Sequence, residues 1–219
     1  MKTAGLRVKL YKKYSEANGS QHIASEYAIS KIYKLVRLFK IKFILEIGLG
    51  IGSISGIIIA LSKNINNKIN YTGTEVNGFC LKALKLNLGN HYDELYICED
   101  LSLLSSRMKY DLIIIDGKDE NLKSIKNLLS HNGIIVIEGD RIPQFMELKS
   151  LFPNLKYVQA ISCKKNKNYS PFSPSHWRGG LKIIFVDPTY FQNIWWLREK
   201  IFTKMKYIYR SFIASKNFN

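Results

Sequence analysis

The chain has 219 residues, enough for one large α/β domain with short additions. With 46% apolar residues it can bury a full core, which excludes disorder as its default state. The 33 basic and 17 acidic residues leave a formal net charge of +16, which suits an anionic partner (nucleic acid, anionic lipid, a phosphorylated compound) or simply a surface of solvated lysines, and charge alone does not choose among these.

Residues 1–20 are polar, lack the apolar centre of a signal peptide, and end in the turn signal Ala17-Asn18-Gly19-Ser20. From 22 to 39 apolar residues recur at helical spacing, with Ser20 as the expected cap. Strands and helices then alternate. Strands are expected at 43–47, 69–74, 95–98, 110–115 and 133–137, and helices at 53–61, 79–88, 101–107, 121–129 and 144–151. The runs at 110–115 and 133–137 are almost continuously apolar, as central parallel strands are. Two last strands, 156–161 and 181–186, have no helix between them, only a loop rich in Lys, Asn, Ser and Pro. Strands joined by a loop pair antiparallel. The expected fold is therefore α/β and doubly wound, a mostly parallel seven-stranded sheet whose seventh strand is reversed. Three cysteines, Cys80, Cys98 and Cys163, show no CxxC spacing, which argues against disulfides and zinc and suits a cytoplasmic protein. The longest weakly charged stretch, 47–62, is too short and too glycine-broken to span a membrane.

In such sheets ligands bind beyond the carboxyl ends of the strands. Three features fall there. Glu46-Ile47-Gly48-Leu49-Gly50-Ile51-Gly52 follows the first strand, and Ser53 opens the next helix, whose free N–H groups favour an anionic group. Glu75 ends the second strand, where a carboxylate can accept from two ribose hydroxyls. Asp100 with Leu101 follows the third strand, pairing an acceptor for an exocyclic amine with a side chain for a ring face. The spacing is GxGxG, not the dinucleotide GxGxxG, since Ser53 stands at the last glycine position.

These segments, with Thr74-Glu75-Val76, Glu99-Asp100-Leu101, 111–117 and 133–138, resemble the class I S-adenosylmethionine-dependent methyltransferase family over about residues 22–187. The resemblance implies S-adenosylmethionine as cofactor. It implies Gly48, Gly50 and Gly52 under the methionine moiety, Glu75 on the ribose and Asp100 at the adenine amine, with Glu46 orienting the loop. Asp116 ends the fourth strand, and Glu138 and Asp140 follow the fifth. They are similar to the metal-dependent small-molecule O-methyltransferases, which implies a Mg²⁺ site, although Glu138-Gly139-Asp140 departs from that subgroup's Asp-Asn pair. The other reading is ordinary loop hydrogen bonds, with Asp116 lining the site.

The loop between the last two strands carries Tyr169, His176, Trp177 and Arg178: a candidate general base in His176, with Asp116 the other catalytic candidate, and candidate acceptor contacts in the rest. Alternatively it is a solvated basic hairpin. Residues 1–188 form the expected methyltransferase domain. Residues 189–219 form a basic, aromatic amphipathic helix that lies on an anionic membrane, on its own domain, or on a second subunit in a homodimer. The leading expectation is O-methylation of a small molecule or saccharide precursor. Rivals are an RNA methyltransferase and a non-catalytic scaffold subunit.

Overall fold

The computed structural model describes residues 2–216, with side chains for residues 3–213. Seven strands form one sheet: β1 (Phe43–Ile47), β2 (Asn70–Thr74), β3 (Leu95–Cys98), β4 (Tyr110–Ile115), β5 (Leu129–Glu138), β6 (Lys156–Ile161) and β7 (Gly180–Phe185). The order is β3-β2-β1-β4-β5-β7-β6. All neighbouring pairs from β3 to β5 are parallel, and β7 runs antiparallel to both β5 and β6. The reversed strand thus sits inside the sheet, one place from its edge.

Strand alternation divides the interior into two cores. Ile44, Leu112, Ile114, Ile134, Val136, Ile183 and Phe185 face helices α1 (Lys2–Ser15), α2 (Glu26–Leu38), α3 (Ser53–Lys63) and α4 (Gly78–Leu88). Leu45, Ile47, Ile113, Ile115, Ile135, Ile137 and Ile184 face α5 (Ile125–Leu128) and α6 (Ile142–Leu151). The strands are buried on both faces, which is why their sequences read as near-continuous apolar runs rather than alternation. The last helix, α7 (Tyr190–Lys216), packs along β6. No helix among the described residues is long and apolar enough to cross a membrane.

Several elements differ from expectation. Residues 2–15 are a helix rather than a polar lead-in. Its packing face is narrow: Tyr11 and Tyr14 are buried, with Leu6 and Leu10 partly so, among exposed lysines. The next helix starts four residues later than its periodicity suggests, because Ser25 and not Ser20 caps it, accepting from the Ala28 amide at 3.2 Å. Ser20–His22 is a short 3-10 turn. The helix expected at 101–107 is one 3-10 turn, Leu101–Leu103, capped by Asp100. That at 121–129 shrinks to two single turns because β5 begins already at Leu129.

Candidate active site

The sheet order changes direction between β1 and β4, so the crevice lies over their carboxyl ends. Hydrogen bonds continue the ladder past the strands and align the loops there. The amides of Gly48 and Leu49 both donate to Thr74 O, at 3.1 and 3.0 Å, and the Asp116 amide donates to Ile47 O at 2.9 Å. The Glu75 amide donates to Cys98 O at 3.1 Å.

The glycine loop needs its glycines at two points. Gly48 has φ +83°, and a Cβ there would come within 2.5 Å of the Gly117 backbone, so the loops after β1 and β4 touch backbone to backbone. Gly52 has φ +85° and a Cβ would meet Leu88 at 2.4 Å, so α4 packs directly against the start of α3. Gly50 differs: its φ is +54°, but a Cβ would meet nothing within 4 Å, so its side faces open space. Ser53 is buried at the first position of α3.

Glu75 holds this loop. Its Oε2 accepts from the Gly50 amide at 2.7 Å, and its Oε1 from the amides of Val76 and Asn77 at 3.0 and 2.8 Å. Val76, beside it, is 70% exposed, a large apolar side chain left at the crevice. Glu46 is fully buried under the loop: Tyr71 donates to its Oε2 at 2.5 Å, while Oε1 has no partner within hydrogen-bonding geometry among the described residues. Burial, with the nearby carboxylates of Asp116 and Glu75, pushes its pKa well up and favours the protonated acid.

Asp100 caps the turn after β3 and accepts from the Ser102 amide at 2.6 Å. Hydrogen bonds from Ser102 hold its carboxyl below the ordinary range. The Leu101 side chain is buried in the second core, so it backs the loop rather than lying open to a ring. Its amide donates to Asp119 Oδ2 at 3.1 Å, and Asn121 Nδ2 reaches Asp100 Oδ1 at 3.5 Å. Asp119 and Asn121, which the sequence reading passed over, therefore fasten the loop after β4 to the loop after β3.

The acids at the ends of β4 and β5 do come together, and an arginine comes with them. Arg141 donates through its guanidinium to Asp116 Oδ1 at 3.0 Å and to the Asp116 carbonyl, and through Nε to the Glu138 carbonyl at 3.0 Å. Glu138 Oε1 accepts from the Ser25 amide at 3.2 Å. Burial raises the Asp116 pKa to about 6, with Arg141 pulling against it. Burial, and then the charge of Asp116, raises Glu138 to about 7. The Mg²⁺ ligand set is not assembled. A hard divalent cation needs several converging oxygens. Here a guanidinium already neutralises Asp116, while Asp140 is exposed and turned toward Lys182 at 3.9 Å. Among the described residues no group of three or more His, Cys, Asp or Glu is placed to hold a metal ion. The residues present do not fit that site.

The 162–179 loop returns over the same end of the sheet and docks on α2. Glu26 takes an ion pair from Arg178 at 3.0 Å and a hydrogen bond from Tyr169 at 3.0 Å. The Tyr169 ring meets Tyr11 of α1 edge-on at 6.4 Å, so helix and loop close on one another there. Trp177 carries cations over its ring, Lys165 at 4.1 Å and Arg210 at 4.9 Å. His176 is exposed at the loop's turn, its amide bonded to Ser173 O and its carbonyl to the Asn166 amide. Of the residues expected to meet an acceptor, Tyr169 and Arg178 are thus fasteners of the loop. A cleft of about 610 Å³ opens instead at the ends of β4 and β5, lined by Lys118, Asp119, Asp140, Arg141 and Gln144.

Comparison with solved structures gives the same architecture. The chain is similar to an O-methyltransferase from Bacillus cereus in complex with SAH, with TM-score 0.58 and 16% identity over 84% of this chain and 91% of that one. It is similar to a precorrin-6y C5,15-methyltransferase from Geobacter metallireducens, with TM-score 0.58 and 16% identity over 79% and 93%. It is also similar to the O-methyltransferase TomG from Streptomyces achromogenes, in complex with SAM, with TM-score 0.57 and 12% identity over 83% and 89%. The chain has the Rossmann-like methyltransferase fold these share, reversed seventh strand included. No protein-family model and no curated protein matches it.

Proposed function

We propose that the chain transfers a methyl group from S-adenosylmethionine to a hydroxyl of a small-molecule or saccharide acceptor. The observation that carries this reading is the glycine loop locked to Glu75, beside the buried Asp116–Glu138 pair, at the switch point of a methyltransferase fold. The residues fit the cofactor: the open side of Gly50 leaves a cradle, Glu75 stands beyond it, and exposed Val76 offers an apolar face beside that acid. When bound, S-adenosylmethionine supplies an electrophilic methyl carbon and departs as the neutral thioether.

Gly48, Gly50, Gly52 and Ser53 support the methionine portion, and Glu46 orients their loop from beneath. Glu75 keeps a lone pair on Oε2 for a ribose hydroxyl beyond its three backbone bonds. Asp100, fastened by Asn121, accepts from the adenine amine. The acceptor enters the cleft beside Arg141, between the residues that follow β4 and those that follow β5. Glu138 takes the hydroxyl proton as the new O–C bond forms, since a base whose pKa lies near working pH combines an available ionised form with proton affinity. Arg141 favours the ionised form of Asp116 next to it and ties the ends of β4 and β5 together.

Isothermal titration with S-adenosylmethionine and S-adenosylhomocysteine tests the cofactor. Glu75→Ala should weaken binding by about 10- to 100-fold, the worth of one hydrogen bond to a charged group. Unchanged affinity in a folded Glu75→Ala protein would remove Glu75 from the ribose and the cofactor from this loop.

A further inference from the structure

Helix α7 carries apolar residues on two faces, one turned to the core and one left outside. A helix on a globular domain turns its apolar face inward. Inward, Trp195 and Trp196 pack against the core, Trp195 edge-on to Phe39 and Phe185, and the polar Gln192, Glu199 and Thr203 are buried beside them. Gln192 donates to Asn132 O at 2.8 Å, Trp196 Nε1 to Tyr157 O at 2.8 Å and Arg210 Nε to Ser162 O at 2.7 Å. Outward lie Tyr190, Ile194, Leu197, Ile201, Met205 and Ile208, each between 49% and 83% exposed. The pairs Tyr190/Ile201, Ile194/Met205 and Leu197/Ile208 share an 11-residue period, which drifts by only about 20° per repeat around a helix. At about 1.5 Å per residue the stripe runs roughly 27 Å. A contiguous apolar surface of that length marks an interaction site.

The charges beside it select the occupant. Arg198, Lys200 and Lys204 lie among the stripe residues, and the helix's one acid, Glu199, faces inward on Lys31 at 2.5 Å and Lys206 at 3.9 Å. Alongside, between α1, α2 and α7, a groove of about 780 Å³ is lined by Arg7, Lys34, Arg37 and Arg198 with Trp195 and Phe202. A second copy of this face would bring the same cations together with only Glu199, already paired with Lys31, in the groove to meet them, on a chain already at +16. A nucleic acid would satisfy the cations and leave the aliphatic stripe in water. An anionic bilayer satisfies both: the acyl boundary takes the stripe and headgroup phosphates take the cations.

We propose that α7 is a peripheral docking element that lays its Tyr190–Ile208 stripe into the surface of an anionic membrane, with headgroups in the neighbouring Arg7–Arg37–Arg198 groove. This surface stands apart from the proposed reaction, and its test does not depend on it. Its placement nonetheless bears on the site. The helix starts beside the beginning of β6, where Lys156 bonds Asn193 at 2.6 Å, and climbs to the crevice end, where Arg210 holds Ser162 and lies over Trp177. Docking would bring the 162–179 loop to headgroup level.

The experiment is co-sedimentation of the full-length protein with vesicles of phosphatidylcholine alone and of phosphatidylcholine mixed with phosphatidylglycerol, at low and raised salt, with light scattering of the free protein. The expected result is binding to the mixed vesicles that weakens with salt and does not occur on phosphatidylcholine. The pair Ile201→Glu and Ile208→Glu, on the exposed face, should abolish it with an unchanged circular dichroism spectrum. The pair Lys200→Gln and Lys204→Gln should weaken it by about 30-fold, the worth of two cations near such a surface. Protein left in the supernatant overturns the proposal, and that arm needs no variant. Equal binding to uncharged vesicles overturns the role of the groove. A dimer that the glutamate pair dissociates assigns the stripe to a second copy and overturns the membrane as its occupant.

Discussion

Asp116 and Glu138 are two carboxyl groups in one buried site, and their environment separates them. Arg141 sits on Asp116, while Glu138 accepts from the Ser25 amide. The pair should therefore give methyl transfer an acidic limb, kcat/KM rising with pH through an apparent pKa near 7. Asp116→Asn removes a charge that raises Glu138, so the limb should move to lower pH; Arg141→Ala removes a charge that lowers both, so it should move to higher pH. A limb that stays put in both variants would take the pair out of proton transfer. Stability carries the opposite sign. Both folded values are raised above the ordinary carboxylate value of ~4, so the native pair holds its protons more tightly than the unfolded chain does. That contribution is fully present below ~4 and is lost as pH rises through the folded values near 6 and 7. Urea unfolding across that window should show a decline that Glu138→Gln reduces. These acids, like Glu75 and Asp100, stand out in the sequence because each follows an apolar run at a strand end. Arg141 and Ser25 do not, since their roles come from a meeting of α2, β5 and the start of α6 that no local spacing records.

Helix α1 shows what a periodicity argument loses. Its buried residues are few, Tyr11 and Tyr14 with partial help from Leu6 and Leu10, and the lysines between them make the segment read as polar. Among the contacts that hold it is one close approach: a Cβ on Gly56 of α3 would lie 1.9 Å from the Tyr14 hydroxyl. Gly56→Val should therefore displace α1. Overpacking of this kind costs ~1–3 kcal/mol, and early proteolysis between α1 and α2 in the variant would report it. Equal protease resistance in variant and parent would mean that α1 is held by other contacts. The strands were easier to read, because burial on both faces writes a continuous apolar run into the sequence. Single-turn elements such as α5 were not, since four residues carry no period.

At the scale of the whole molecule, the seven-stranded architecture and its reversed strand were legible from the missing helix between residues 161 and 180. The partner of α7 was not, because periodicity shows that a helix has an apolar side and not which way that side turns. In the fold α7 performs a service separate from anything it binds. Strand β6 ends the sheet, and a terminal strand offers unpaired backbone groups on which another chain can add. Trp196 caps one of them, the Tyr157 carbonyl, and the body of α7 lies along the rest. At the opposite margin β3 is only four residues long and offers little template. Cutting the chain before residue 189 would thus strip the guard from a long terminal strand, and the truncated protein would be expected to self-associate through it. Aggregation of such a fragment would report on the sheet's margin and say nothing of what the helix was meant to touch.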